Sequence, residues 1–365
     1  WFTSATTSQM AMTLARIEAA DGSSVEGSRG LSLFYLHTRD GAGRLNNIEI
    51  HRLKDKLGTK AVPTAELTLN GTPARLVGEP GRGVPNIAVL MNVTRVYNAV
   101  SSVSTMRRGI ALARDYARRR HAFNKPLARQ PLHLETLAQL EVEFAAGLQL
   151  VFHAVALLGR EECGEASAHD AAVLRLLTPL AKLYTAKQSV AVTSEILEAF
   201  GGAGYIEDTG LPRLLRDTQV TPIWEGTTNV LSLDVLRAIE RDDALGPFLE
   251  DIVHRIERVA APQLRAEVAT VQQALDDIRD HLPRALAEGT DCVQGSARSF
   301  AYSLARTYMA SLMIEHADWS LAESGDTRDV AAARRWCRQP LAPLFQADAA
   351  HRDETRALAL DEPLE

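Results

Sequence analysis

A single carboxylate in an apolar setting is the first feature of this sequence that is suited to chemistry. Glu225 lies between Ile223-Trp224 and Gly226-Thr227, just ahead of a run with helical spacing. Apolar neighbours desolvate a carboxylate and raise its pKa, which suits it to act as a general base towards a weakly acidic C–H proton. The alternative is that Glu225 occupies the N-terminal turn of the following helix, where acidic side chains are favoured. The spacing alone leaves both interpretations open.

A basic run that contains an aromatic residue is the second feature. The segment 118-RRRHAFNKP-126 follows further bases at Arg107, Arg108 and Arg114. Clustered guanidinium groups suit a phosphate or diphosphate, because each planar fork binds two oxygens at once. A solvated helix face explains most of these arginines without any ligand. Phe123, however, interrupts the charged run where the helix ends, and it is a candidate wall for a ring system.

A glycine-rich turn, 198-EAFGGAGY-205, is the third feature. Glycines let a backbone approach a ligand closely and expose its N–H groups. The run is not a dinucleotide-binding fingerprint, because no strand precedes it, and a helix C-cap followed by a turn explains it as well.

At the start of the chain Trp1 and Thr3 add a flat ring and a hydroxyl, which alone indicate nothing. The ten histidines form no metal-binding pattern, so we predict no metal site.

The first 83 residues show the alternation typical of β-strands. Apolar side chains alternate in four runs, at 10–14, 31–35, 48–50 and 67–69, and no 3.6-residue period appears. Asn70-Gly71 follows the last run and predicts a hairpin turn. We therefore expect a compact sheet or barrel over residues 1–83, which ends at the glycine-rich segment 78–83.

From residue 84 the pattern predicts long helices. One runs from about Val84 to Arg120 and is stopped by Asn124-Lys125-Pro126, two others span roughly 132–160 and 168–200, and a fourth follows Thr227. Four helices with short connections predict a four-helix bundle over residues 84–243. The predicted fold class is thus α+β and mostly α: a β-sheet or barrel domain, a four-helix bundle and a further C-terminal helical region.

Residues 244–365 are helical in pattern but differ in composition. They contain thirteen arginines, no lysine and twenty acidic residues, a net charge of −7, so we treat them as a separate acidic extension. That charge repels phosphates, and the whole chain is acidic at −6, which argues against nucleic acid as a partner.

The apolar stretches and the cysteines indicate where in the cell the protein is expected. The longest strongly apolar stretch, 147–159, has thirteen residues, whereas a membrane span needs about 20, so we predict a buried helix and no membrane span. Three scattered cysteines, with no signal-peptide pattern in the first twenty residues, predict a reducing, cytoplasmic location.

Together these pieces resemble the acyl-CoA dehydrogenase family over residues 1–243. The ordered matches are WFTS at the start, RLKDKLGTKAVPT at 52–64, GEPGRG at 78–83, TR at 94–95, RRRHAFNKPLARQ at 118–130, the Gly-Gly-x-Gly-Tyr turn, LRD at 215–217 and IWEGTTN at 223–229. Family members are FAD enzymes with a helical domain, a central β domain and a C-terminal four-helix bundle. The resemblance therefore implies that this chain opens inside the β domain, without the N-terminal helical domain. The region after residue 243 looks most like that of the AidB-type branch.

The resemblance implies a reaction as well as a fold. Glu225 would be the base that removes the α-proton of an acyl-CoA thioester, while the β-hydride passes to flavin N5. Some family members carry the base at the position of Thr94, which cannot serve, so Glu225 is the implied base. Arg95 would lie near that base and the acyl-CoA substrate. An electron acceptor such as an electron-transfer flavoprotein is implied too, within fatty acid metabolism.

The resemblance also implies the contacts to FAD. They are Trp1 and Thr3 at the flavin ring, Arg120 and Phe123 at the FAD of a neighbouring subunit, Gly201 and Gly202 along that same cofactor, and Thr227 and Asn229 at the adenosine end. A shared cofactor makes an oligomer part of the site, so a homodimer or homotetramer is expected. The alternative function is an AidB-like flavoprotein of marginal dehydrogenase activity, acting as an acyl-CoA sensor or in the response to alkylation and DNA damage. Direct protection of nucleic acid ranks lowest, because of the acidic charge.

Overall fold

The computed structural model describes residues 1–4 and 6–364, and the chain forms two compact units, residues 1–94 and residues from 95 onwards. Six strands of the described residues lie in the first unit: β1 Phe2–Thr3, β2 Met10–Arg16, β3 Leu31–His37, β4 Ile48–Leu53, β5 Thr64–Leu69 and β6 Ala74–Val77. They pair antiparallel in two sheets, of order β1-β5-β4 and β2-β3-β6. Each predicted run falls on one of these strands, because alternating apolar side chains give a strand one face to bury. The predicted sheet is confirmed.

The hairpin predicted at Asn70-Gly71 is wrong. Gly71 has a φ of 73°, as a tight turn requires, but it joins β5 to β6, which lie in different sheets. The turn is tied to Asn47, whose carbonyl accepts hydrogen bonds of 2.9 Å from Asn70 N and from Thr72 Oγ1. Local turn chemistry therefore fixes the reversal of the chain, while burial of the strands decides their partners.

Long helices dominate the rest of the described chain. The bundle consists of α1 Gly83–Arg119, α2 Pro131–Glu162, α3 Ala168–Ala199 and α5 Thr228–Asp242, with the short α4 Leu211–Thr218 before α5. The bounds agree with the predicted ones within a few residues. Ser167 and Asp170 show why α3 begins where it does, since they form a capping box with bonds of 3.0 and 3.1 Å. The eight-residue α4 was not predicted, because two turns are too short to reveal a period.

The predicted end of the first helix at Arg120 is correct to within one residue. α1 ends at Arg119, and the chain then forms a ribbon of two short strands, β7 His121–Ala122 and β8 Lys125–Pro126. Phe123 and Asn124 form its turn, with φ values of 51° and 63°. A two-residue turn with both residues left-handed matches the twist of the flanking strands.

The C-terminal region consists of α6 Leu245–Glu257, α7 Arg265–Ala287, α8 Thr290–Ser324, α9 Arg328–Cys337 and α10 Ala349–Leu360. Its composition indicated a separate extension, but its helices share one hydrophobic core with the bundle. Polar contacts cross the junction too: Arg306 of α8 donates to Tyr184 Oη of α3 at 2.9 Å. A shared core means that the extension supports the bundle of its own chain.

One helix among the described residues, α2, is long and apolar enough to cross a bilayer, by length and composition alone, with a mean hydropathy of 1.6 in its most apolar window. Core helices pass the same test. Leu150, Val151 and Ala154 of α2 lie in the shared core. We therefore interpret α2 as a core helix.

Candidate functional site

The loop that carries Glu225 connects α4 to α5 in an unusual backbone conformation. Glu225 and Gly226 have φ values of 60° and 104°. The left-handed region is strained for a residue with a side chain, by about 1 to 3 kcal/mol, and such strain is concentrated at functional sites. Thr227 is the N-cap of α5, and no acidic residue lies in the first turn of that helix. Glu225 therefore precedes the helix, and the interpretation that it occupies the first turn is wrong.

Two cations, the buried Lys182 and the partly buried Arg95, hold this loop by its backbone. Arg95 of α1 donates from Nε to the carbonyl oxygen of Glu225 at 3.3 Å, and Lys182 of α3 donates from Nζ to the carbonyl oxygen of Gly226 at 2.5 Å. Hydrogen bonds from charged donors are stronger than those between neutral groups. Two successive peptide groups are thus fixed directly after the Glu225 Cα.

Asp234 of α5 anchors the arginine. Its carboxylate accepts from Arg95 Nη1 at 2.8 Å, from Arg175 Nη2 at 3.1 Å and from Arg237 Nη1 at 3.3 Å. Burial raises the pKa of the Asp234 carboxyl, but the charges of Arg175 and Arg95 outweigh burial and hold that pKa below its usual value. The anionic form of Asp234 therefore keeps Arg95 in place.

Lys182 is the most deeply buried cation near this loop. Its side chain is 0% exposed in the structure. Burial and the nearby charge of Arg95 lower the pKa of Lys182 to about 8, against the opposite influence of Glu225. The ammonium form therefore still predominates at neutral pH.

Uncharged groups secure the preceding half of the loop. Asn98 of α1 donates from Nδ2 to the carbonyl of Thr221 at 3.1 Å, and Thr221 Oγ1 donates to the carbonyl of Thr218 at 2.9 Å. The Thr221 hydroxyl also lies 3.3 Å from Ser189 Oγ of α3. Both halves of the loop are thus tied to the same two long helices, α1 and α3.

The apolar neighbours of Glu225 face outwards. Ile223 and Trp224 are 63% and 42% exposed, and Glu225 itself is half-buried. The shielding of Glu225 that the sequence predicts is thus not completed by these two side chains alone. They form an apolar rim on which a ligand can lie.

The basic run and the glycine turn meet at the other end of α1. Tyr116, one turn before the helix ends, stacks on Phe200, with ring centroids 4.5 Å apart. Phe200 directly precedes Gly201, so the structure brings the segment around Arg120 next to the glycine turn. Arg120 is exposed and forms no ion pair with any residue that the structure describes, and Phe123 is 92% exposed.

The glycines of that turn have different roles. A Cβ on Gly204 would lie 1.9 Å from the carbonyl oxygen of Leu197, so Gly204 is required for packing against α3. A Cβ on Gly201 or Gly202 would meet nothing within 4 Å. Gly201 has a φ of 60° directly after the C-cap of α3, so the C-cap interpretation is correct for the backbone. The space beside Gly201 and Gly202 is empty, so the backbone there leaves room for a ligand.

The remaining predicted cofactor residues are less constrained. Thr227 makes no side-chain capping bond, and both it and Asn229 are exposed at the start of α5. Trp1 and Thr3 belong to the first unit. There the Trp1 ring lies 5.4 Å from the Arg52 guanidinium and 5.1 Å from the Lys54 ammonium, while the backbone of Thr3 pairs with Thr64.

The sequence interpretation missed two charged residues that support the loop, Lys182 and Asp234. Lys182 interrupts the apolar run 173-VLRLLTPLAKLYTA-186 of a core helix, and a cation at a core position indicates a buried partner. Asp234 stands among apolar residues of α5 in the same manner. The sequence alone does not show which residue pairs with Lys182 or with Asp234.

Comparisons with known proteins identify the family. Residues 81–240 match the family model described as acyl-CoA dehydrogenase, C-terminal domain, and residues 243–364 match the one described as acyl-CoA dehydrogenase 11 C-terminal domain-like. The junction of the two matches lies beside the boundary predicted at residue 243.

Individual relatives agree. The chain is 47% identical over 352 residues to acyl-CoA dehydrogenase family member 11 of Caenorhabditis elegans, which covers 94% of this chain and 57% of that protein. It is 35% identical over 222 residues to the putative acyl-CoA dehydrogenase AidB of Escherichia coli, covering 61% of this chain and 40% of that protein. The crystal structure of C. elegans ACDH-11 in complex with C11-CoA superposes with a TM-score of 0.91 at 43% identity, over 98% of this chain and 62% of that one.

The chain thus spans less than two thirds of the length of each of these relatives. Within that span, one family model matches the bundle and the other matches the extension. The chain belongs to the acyl-CoA dehydrogenase family.

Proposed function

We propose that the protein containing this chain is an FAD-dependent acyl-CoA dehydrogenase in which Glu225 removes the α-proton of the acyl thioester. The observation that carries this proposal is the strained conformation of Glu225, on a backbone held by Arg95 and Lys182. A base acts efficiently only when it is held in reach of the proton it removes. A strained backbone that side chains of α1 and α3 hold in place is typical of a residue positioned for such a task.

The residues at the far end of α1 fit an FAD diphosphate. Arg120 is exposed and has no ion-pair partner in the part of the chain that the structure describes, so it can supply a planar cation, and the empty space beside Gly201 and Gly202 allows close approach of an anion. When bound, FAD would supply the two-electron acceptor for the hydride. The chain itself would bind and orient the partners and move the proton.

The length of α1 supports a cofactor site shared between subunits. Arg95 touches the loop of the base, whereas the helix ends at Arg119, about 24 residues and roughly 36 Å further along. That distance exceeds the length of one FAD molecule. The base and the diphosphate contacts of one chain would therefore serve two different cofactors, as in a homodimer or homotetramer.

Glu225 would remove the α-proton, and the apolar side chains of Ile223 and Trp224 would help to exclude water from the site. One carboxylate oxygen would take the α-proton, and the outward-facing Ile223 and Trp224 would be covered by the substrate on binding. Excluding water strengthens every electrostatic interaction in the site. The crystallised C11-CoA complex of the C. elegans relative favours acyl-CoAs of similar length as ligands. An electron-transfer flavoprotein would then reoxidise the cofactor.

A second candidate is an acyl-CoA-binding flavoprotein with little turnover. The exposure of Ile223 and Trp224 favours it, because a base open to water is a weak one towards a C–H bond. Under this alternative Glu225 would bind or sense the thioester and seldom react with it.

Reduction of the flavin by acyl-CoAs under anaerobic conditions distinguishes the dehydrogenase from the binding protein with little turnover. We expect acyl-CoAs of graded length, including C11-CoA, to bleach the flavin absorbance of the FAD-loaded protein. Glu225→Gln should retain FAD and slow that bleaching by at least about a hundredfold, since general-base catalysis contributes on that order. If acyl-CoAs bind to the wild-type protein and none reduces the flavin, the dehydrogenase proposal fails and the second candidate stands.

A further inference from the structure

Lys182 stands out among the buried groups because it lies beside the candidate base but takes part in no chemical step of the proposed reaction. It lies on the central helix α3 with no exposed surface. A buried ammonium is expensive to desolvate and is retained only where it is paired or hydrogen-bonded. Among the described residues its one hydrogen bond goes to the carbonyl of Gly226, directly after Glu225.

Two charged groups act on Lys182, and one of them, the carboxylate of Glu225, has the opposite charge. Arg95 from α1 is a second cation nearby, but Asp234 binds Arg95 at 2.8 Å and so balances it. The remaining charge that acts on Lys182 is the carboxylate of Glu225, from the loop. Lys182 therefore stabilises the loop in two ways, by a hydrogen bond to its backbone and by attraction to its side chain.

The backbone of the loop needs such support. Glu225 and Gly226 are both left-handed, and a Cβ on Gly226 would lie 3.0 Å from the Leu231 side chain, so a larger residue would be crowded at that position. Arg95 fixes the peptide group between residues 225 and 226, and Lys182 fixes the next one. Releasing either would let the Glu225 Cα rotate out of its strained region.

We propose that Lys182 is a positioning residue for the base: its buried ammonium fixes the Gly226 peptide and thereby presents the Glu225 carboxylate to the acyl thioester. The second half of this statement rests on the proposed dehydrogenase function, whereas the first half does not. Lys182 does not touch the reacting atoms through any contact that the structure shows. Its effect is exerted through Glu225.

The test compares Lys182→Met with Lys187→Met in the FAD-loaded protein. Lys187 lies on the same helix but is exposed, so its substitution controls for loss of a lysine from α3. We expect Lys182→Met to slow acyl-CoA reduction of the flavin about ten- to a hundredfold, the effect of a small misplacement of a reacting group. Acyl-CoA affinity, read from the flavin spectral shift, should change less than about threefold, and an α-deuterated substrate should show a larger isotope effect than in the wild type.

Hydrogen exchange provides a second readout that does not depend on turnover. Peptides covering residues 219–229 should exchange faster in Lys182→Met than in Lys187→Met, with the rest of α3 unchanged. If Lys182→Met does not fold, Lys182→Gln, which keeps a donor and removes the charge, takes its place. Exchange and reduction rates equal to those of the control would overturn the proposal. A wild-type protein that fails to reduce its flavin would overturn only the dehydrogenase function, because the exchange comparison still decides the role of Lys182.

Discussion

Arg95 and Asp234 form an ion pair of 2.8 Å inside the helical bundle, with side-chain exposures of 12% and 8%. The pair joins α1 to α5, and the same guanidinium donates to the backbone of Glu225. A buried pair of this kind is destabilising to break, because Asp234 loses the partner that lies nearest to it.

Arg95→Met should therefore destabilise the protein by about 3 kcal/mol, and it should also slow flavin reduction because the Glu225 carbonyl loses its donor. Denaturant unfolding and stopped-flow reduction measure the two effects. Arg237→Met is the matched control, since Arg237 contacts the same carboxylate from an exposed position. Equal losses in both variants would show that Arg95 has no special relation to Glu225.

Acid should weaken this bundle through Asp234. The folded-state pKa of its carboxyl lies below the usual value near 4, so its contribution to stability is present above about pH 4 and is lost as pH falls through the lowered value. Asp234→Asn should be less stable than wild type at pH 7, and the difference should shrink towards pH 3. Denaturant midpoints across that range test this, and a difference that does not change with pH would contradict it.

A histidine between the bundle and the extension should make stability depend on pH nearer neutrality. Burial and the charge of Arg255 lower the pKa of His153 to about 4, and Arg255 Nη2 lies 3.1 Å from the His153 Nε2. The unfolded chain takes up a proton near pH 6.5, before the folded chain does, so stability should fall between about pH 6.5 and pH 4. Each unit by which the folded and unfolded pKa values of His153 differ corresponds to about 1.4 kcal/mol of stability.

His153→Gln should remove most of that pH dependence. His254→Gln, at an exposed position of α6, should leave it unchanged. Unfolding by denaturant at pH 7.5 and pH 5 measures the difference. A steep pH dependence that persists in His153→Gln would show that His153 is not its source.

Two glycines of one turn should respond oppositely to alanine. Gly204→Ala should lower the melting temperature strongly, because the new Cβ would lie 1.9 Å from a carbonyl oxygen. Gly202→Ala meets only open space and should melt as the wild type does, yet bind FAD more weakly if the cofactor passes there. Thermal melting and FAD titration of the apoprotein distinguish them. Unchanged FAD affinity in Gly202→Ala would remove that glycine from the cofactor site.

The extension should be needed for the bundle to fold. A chain ending at residue 243 would expose the core positions that Phe248, Tyr308 and Trp336 cover, so we expect it to aggregate. A chain ending at residue 348 loses only α10 and the residues after it, and α10 buries no residue, so it should remain folded. Sedimentation and circular dichroism compare the two. A well-folded 1–243 chain would show that the shared core is dispensable.

The sequence predicted the elements far better than their contacts. Helix bounds followed from periodicity, and the family motifs pointed to Glu225 as the candidate base, because both signals are local in the chain. The hairpin at Asn70-Gly71 failed because pairing depends on distant strands. Lys182 and Asp234 were missed for the same reason: their partners lie 44 and 139 residues away. Buried polar pairs are fixed by the fold, and the sequence shows only that such a residue needs a partner.

The length of α1 has a genetic consequence. If the base and the diphosphate contacts of one chain belong to different catalytic centres, two inactive alleles can rescue each other. In a mixed dimer of a Glu225→Gln chain and an Arg120→Ala chain, one centre would contain both lesions and the other neither. Co-expression of the two would restore up to one working centre per dimer, a complementation that a centre built within a single chain would not allow.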